Sequence, residues 1–175
     1  MERISNAVRR AQGVLSEVLL GLLPPALLAL VAVCWLAPAQ AQQAPLEDLS
    51  AFPQAHLTIK GGGAVHEFSI WVADTPAREE QGLMFVRELA ADRGMVFYDV
   101  QPRPWDMWMK NTFIPLDMLF IGADGRITQI SHAVPHDETI IRSNGPVKAV
   151  IELQGGISDR LHLKAGDQAA WKPAP

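Results

Sequence analysis

Pro115-Leu116-Asp117-Met118-Leu119-Phe120-Ile121-Gly122-Ala123-Asp124-Gly125-Arg126-Ile127-Thr128-Gln129-Ile130-Ser131 carries the clearest structural pattern of the chain. The first seven residues read as a strand with Leu116, Met118 and Phe120 on one face and Asp117, Leu119 and Ile121 on the other. Asp124-Gly125 accepts the twisted geometry that joins antiparallel strands, so Arg126–Ser131 is expected to run back beside it. A strand apolar on both faces is covered on both, which places Asp117 at least partly inside. A buried carboxylate without a partner costs several kcal/mol, roughly, or takes up a proton. Lys110, Arg87, Arg93 or a backbone turn are the candidates to answer it.

Outward from this hairpin, period-two patterns dominate. Leu57 and Ile59 share a face, Gly61-Gly62-Gly63 supplies a turn, and Phe68, Ile70 and Val72 share a face in the segment that follows. Further strands are expected at Gly94–Asp99, Trp105–Lys110, Val147–Leu153, Leu161–Leu163 and Gln168–Trp171. One helix is expected, capped by Asp74 or Thr75, with Pro76 at its first position and Glu79 and Glu80 in its first turn, running to about Met84. A second short turn falls near Val86–Ala91. These elements describe a mainly β fold, a compact antiparallel sandwich or jelly-roll-like barrel with one or two short helices.

The N-terminus carries a different signal. Arg3, Arg9 and Arg10 precede an uncharged stretch from Val18 to Ala37, and Ala39-Gln40-Ala41 closes it with small residues. Basic start, apolar centre and small-residue exit describe a signal peptide over residues 1–41, cleaved near Ala41. Gly21 and Pro24-Pro25 break the stretch, which argues against a retained anchor and for export to the periplasm or the exterior, by the general or the twin-arginine route. Residues 42–54 read as a flexible leader and 55–173 as a single β domain.

The chain has 175 residues, 49 % of them apolar, with 15 Lys+Arg against 19 Asp+Glu and a net charge of −4. A mildly acidic chain lacks the footprint of a nucleic-acid binder. One cysteine excludes a disulfide framework, a four-cysteine zinc site and an iron–sulfur cluster. No dinucleotide fingerprint, phosphate-cradling glycine loop or nucleophile motif is present, and no cofactor is expected. His132 and His136 stand near Asp137 and Glu138, but Pro135 between the histidines prevents a helical ligand pair, so no metal is expected.

Lys110, Asn111 and Asp117 are polar residues set in apolar sequence, and Glu152 is a second such case, on the Lys148/Val150 face of its strand. Asp117 is either a structural peg that locks the Asn111–Pro115 loop or part of a pocket. Asp117 and Glu152 would be the candidate acid and base if they faced one cleft. Trp105 and Trp108 read either as core or as stacking surfaces for sugar rings.

Gln81-Gly82-Leu83-Met84, Arg93-Gly94-Met95-Val96-Phe97, Trp108-Met109-Lys110-Asn111-Thr112-Phe113-Ile114-Pro115-Leu116-Asp117, Val150-Ile151-Glu152-Leu153-Gln154-Gly155-Gly156 and Leu163-Lys164-Ala165-Gly166-Asp167 resemble the DUF192 family from about Leu57 to Trp171. The resemblance implies a compact, mainly β fold, often exported, with no established activity. It matches the family's characteristic polar positions to Lys110, Asn111, Thr112, Asp117 and Glu152. An arginine of the family pattern falls one position late, at Arg87 after Val86. Three functions stay open: a non-catalytic envelope module binding a glycan or an anionic metabolite through Lys110, Asn111, Thr112, Asp117, Glu152, Trp108 and Arg87; a hydrolase or lyase acting on an envelope polysaccharide; and a purely structural domain. The oligomeric state is not legible in the sequence.

Overall fold

A computed structural model describes residues 46–174. The signal-peptide reading of residues 1–41 lies outside the described residues. Nine strands follow in order: β1 (Gln54–Gly61), β2 (Ala64–Ala73), β3 (Arg93–Arg103), β4 (Asp106–Met107), β5 (Leu116–Ile121), β6 (Ile127–Ala133), β7 (Ile141–Arg142), β8 (Val147–Gln154) and β9 (Gln168–Pro173). Helix α1 (Pro76–Gln81) lies between β2 and β3, and α2 (Ile157–Arg160) between β8 and β9. Among the described residues no helix is long and apolar enough to cross a membrane.

Seven strands form one sheet in the order β6-β5-β8-β3-β2-β1-β9. The first hairpin closes tightly because Gly61 pairs Ala64 across Gly62 and Gly63, whose φ angles of 59° and 81° suit the turn that continues strand twist. The Asp124-Gly125 connection joins β5 and β6 as read, with Gly125 at φ 79°. The mainly β reading holds, with two short helices and a sandwich-like sheet. The sheet does not close into a barrel: its two edges are joined by one isolated bridge, from Arg126 just before β6 to Gln168 at the start of β9.

Burial explains the shape. One cluster joins Leu57, Ile59, Ile70, Val96, Leu119, Ile121, Ile127, Ile151, Leu153 and Ala169, drawn from all seven strands. One face of a single sheet can meet itself in this way only if the sheet curls over. The other face carries Met95, Phe97, Leu116, Met118, Phe120 and Val150, covered by Phe52, Leu83, Leu89, Trp105, Met107 and Met109. β5 is therefore buried at all six positions, as its two-sided apolar pattern requires.

Four local expectations are corrected. β2 and β3 pair in parallel, because the chain between them crosses through α1 and re-enters in the same direction. Trp105–Lys110 contributes only the two residues of β4, paired with β7, before Met109 and Thr112 turn the chain. Leu161–Leu163 is a turn closing α2, with the Leu163 N–H donating to the Ser158 carbonyl at 2.8 Å. Within the expected leader, Leu49–Ala51 form a 3₁₀ turn and Phe52 is buried, held down by Arg78, which bonds Glu47 at 2.6 Å and lies over the Phe52 ring.

Candidate functional site

The two carboxylates singled out in the sequence sit on opposite faces of the sheet. In the β5–β8 register Asp117 lies opposite Leu153 and Met118 opposite Glu152. Adjacent strand residues point to opposite faces, so Glu152 sides with Met118 while Asp117 points into the curled interior. The condition for an acid–base pair, that both face one cleft, is therefore not met.

Asp117 is fully buried and fully answered. Its Oδ1 accepts the Gly156 N–H at 3.0 Å and faces His132 Nδ1 at 2.8 Å, while Oδ2 accepts the Ser158 N–H at 2.8 Å and its hydroxyl at 2.6 Å. Burial alone would raise its pKa, but Ser158, His132 and Gly156 together outweigh burial and hold it below the ordinary carboxylate value. The peg thus locks the turn that starts α2 rather than the Asn111–Pro115 loop. His132, in turn, is raised above its ordinary value, chiefly by the bond to Asp117.

Glu152 is the opposite case. It stands in the sheet between Met95 on β3 and Met118 on β5, is 4 % exposed, and its Oε2 has no hydrogen-bond partner. Burial alone pushes its carboxyl up to about 8, so the group is largely protonated at neutral pH. It faces a cavity of about 300 Å³ between α1 and the segment from Arg103 to Thr112. The Trp105 indole also lines this cavity, is 4 % exposed, and its Nε1 likewise has no partner. Two lining residues of one cavity thus each carry an orphaned polar atom, which is unusual, since buried polar groups are nearly always bonded.

Charged groups surround the opening. Arg103 lies over the Trp105 ring at 3.7 Å, bonds Asp99 at 2.9 Å and approaches Glu79 at 3.5 Å. Desolvation raises the Glu79 carboxyl despite Arg103. Asp106 is bonded by Arg142 at 2.7 Å, which holds it low. Glu80, Lys110 and the half-exposed Trp108 complete the polar and aromatic wall, and the Thr112 hydroxyl donates to the Lys110 carbonyl at 3.2 Å.

Of the residues anticipated as a binding set, the fold brings Trp108, Lys110, Thr112 and Glu152 together. It places Asp117 beneath the opposite face, while Asn111 does not line the cavity: its backbone, at φ 55°, accepts the Phe85 N–H, and its amide faces Met84 Sδ at 4.0 Å. Arg87 stacks on Phe113 at 5.0 Å and lines a separate groove beside Pro115 and Gly155. Glu79, Glu80, Arg103 and Asp106 were missed, because on their own they read as solvated charges. His132 and His136 serve different neighbours, Asp117 and the Phe113 ring at 5.1 Å. Among the described residues no group of three or more His, Cys, Asp or Glu could hold a metal.

No functionally curated protein matches the chain. It is similar to a crystal structure from Sinorhizobium meliloti 1021 described as a candidate transcription regulator, with 43 % identity, covering 69 % of this chain and 95 % of that one, at a TM-score of 0.66. It is also similar to a protein of unknown function from Novosphingobium aromaticivorans DSM 12444, with 39 % identity, covering 72 % of this chain and 91 % of that one, at a TM-score of 0.68. The model of DUF192, described as an uncharacterised ACR, matches residues 57–171 and takes in every strand that frames the cavity, so the chain belongs to the DUF192 family.

Proposed function

We propose that the protein is a non-catalytic binding module that takes a small polar ligand into the cavity above Glu152. The observation that carries this reading is that two residues lining one cavity, Glu152 and Trp105, each hold a buried, unpartnered polar atom, Oε2 and Nε1. Each forfeits about 1–3 kcal/mol while unbonded, a deficit a ligand with matching groups removes on binding. Its volume, about 300 Å³, lies at the small end of ligand pockets. The signal-peptide pattern of residues 1–41 supports a place of work in the cell envelope. The net charge of −4 gives no electrostatic support for carrying over a role in transcription. Asp117 fits the structural reading instead, since every contact it makes is internal.

A thermal-shift screen of the full chain against neutral sugars, small dicarboxylates and polyamines tests the proposal. A ligand present at a hundred times its Kd adds about 2.7 kcal/mol, a rise in Tm of several degrees for a domain of this size. That rise is expected to shrink in Lys110→Ala and to fall by about half in Glu152→Leu. A rise that persists undiminished in both variants, or no rise with any probe, overturns the reading.

A further inference from the structure

We infer that the occupant of the Glu152 cavity is a neutral sugar ring, entering end-on as a free monosaccharide or the terminal unit of a glycan. This rests on the cavity reading above and narrows it to one chemical class. The floor is lined by Glu152 and Trp105, residues each 4 % exposed, whose carboxyl oxygen Oε2 and indole N–H are buried and unbonded. A hydroxyl accepts from the indole and both donates to and accepts from a carboxyl, so neighbouring ring hydroxyls satisfy both atoms whether Glu152 is protonated or not. Trp108, 47 % exposed, lines the same cavity and offers a flat apolar surface for the C–H face of a ring. A buried floor and an aromatic mouth admit the end of a chain rather than its middle.

Charge at the rim disfavours an anion, and burial at the floor disfavours a cation. An anion entering here meets Glu79, Glu80 and Asp106 at the rim, while Arg103 is already engaged by Asp99 and Glu79. Only Lys110 lacks an ion-pair partner among the lining cations. The Trp108 face and the rim carboxylates suit a cation at the mouth, but deeper in, Arg103 already covers the Trp105 ring at 3.7 Å. A cation there would also need Glu152 ionised between Met95 and Met118, where desolvation opposes charge. A neutral polyol asks for neither change.

The test is an indole ¹H–¹⁵N titration of the full chain, with the Trp105 and Trp108 resonances assigned through Trp→Phe variants. The probes are methyl glucoside, methyl galactoside, N-acetylglucosamine, succinate and putrescine. At least one sugar is expected to move both resonances saturably. Glu152→Gln, which keeps a neutral donor and acceptor, should hold the Kd within about threefold, while Glu152→Leu and Trp108→Ala should each weaken it about tenfold, a change of about 1.4 kcal/mol. If succinate or putrescine moves Trp105 and no sugar does, the sugar assignment falls and the cavity reading stands. If no probe moves either resonance, or a sugar moves only Trp171, both fall.

Discussion

Glu152 and Asp117 are both carboxyl groups buried in the same sheet, yet they titrate in opposite directions because their neighbours differ. Asp117 has four hydrogen-bond donors within 3.0 Å; Glu152 has methionines on either side. An acid whose pKa rises on folding binds its proton more tightly in the native state. Glu152 therefore contributes no penalty below its unfolded value near 4.5 and destabilises progressively as pH climbs through its folded value of about 8. The full effect is of order a few kcal/mol. Glu152→Gln removes the ionisation and keeps the shape. The variant is expected to match the parent in Tm at pH 5 and to exceed it by several degrees at pH 9, read by circular dichroism melting. Equal melting of the two proteins at pH 9 would show that the carboxylate finds a partner when charged. The sequence exposed Glu152 as a polar residue in an apolar strand, and Lys110, Thr112 and Trp108 through the same contrast. It could not expose Arg103 or Glu79, because their place at the cavity depends on where α1 and the end of β3 meet.

At the level of elements, α2 is a four-residue helix that lacks a side-chain cap of its own: Gly156 sits at its N-cap with φ 80° and nothing to offer. The cap comes from across the sheet, where the Asp117 carboxylate takes the N–H groups of Gly156 and Ser158 and the Ser158 hydroxyl. Sequence reading found the buried acid but not this partner, because α2 is shorter than any periodicity can register. The same limit hid the parallel β2–β3 pairing, which depends on the path taken by residues 74–92 and not on either strand's pattern. Asp117→Asn leaves an amide where an all-acceptor group is needed, so at least one buried N–H or hydroxyl loses its bond. A loss of about 3 kcal/mol is expected, seen as a lower urea midpoint with an unchanged m-value. The sign with pH follows from the lowered carboxyl: its stabilisation is present above the unfolded value near 3.8 and is lost as pH falls through the folded one. The parent should accordingly lose stability on acidification more steeply than the variant. Binding in the cavity should survive in the folded variant, since Asp117 faces the other way. Loss of that binding without unfolding would contradict the separation of the two faces.

At the scale of the whole molecule, the curled sheet leaves two edges that nearly meet, and β9 guards one of them. It pairs β1 from Ala55–Pro173 to Lys60–Gln168. At its start the Ile127 N–H donates to the Asp167 carbonyl at 2.9 Å and the Ala169 N–H to the Gly125 carbonyl at 2.9 Å, tying it to the β5–β6 hairpin. The alternating patterns in the sequence identify most strands, but not that the first and the last of them lie side by side, because such a contact is set by how far the sheet curls. Leu57 and Ile59 of β1 are completely buried, and Ala169 of β9 packs with them in the interior cluster. Deleting residues 168–175 removes that packing and turns β1 into an open edge, with its N–H and C=O groups free to pair with another chain. The truncated protein is expected to melt at least about 10 °C lower, since a drop of that size needs only about 2–3 kcal/mol in a domain this small. It should also elute as a dimer or larger species in size-exclusion chromatography at concentrations where the parent elution is unchanged. The amide protons of β1 report the cause directly: those that bond β9 should exchange fast in the dilute truncated protein and slowly once it associates. Retention of the parent's melting temperature and β1 protection after the deletion would mean that the hairpin of β1 and β2 carries the curl by itself, with β9 as a passive rim.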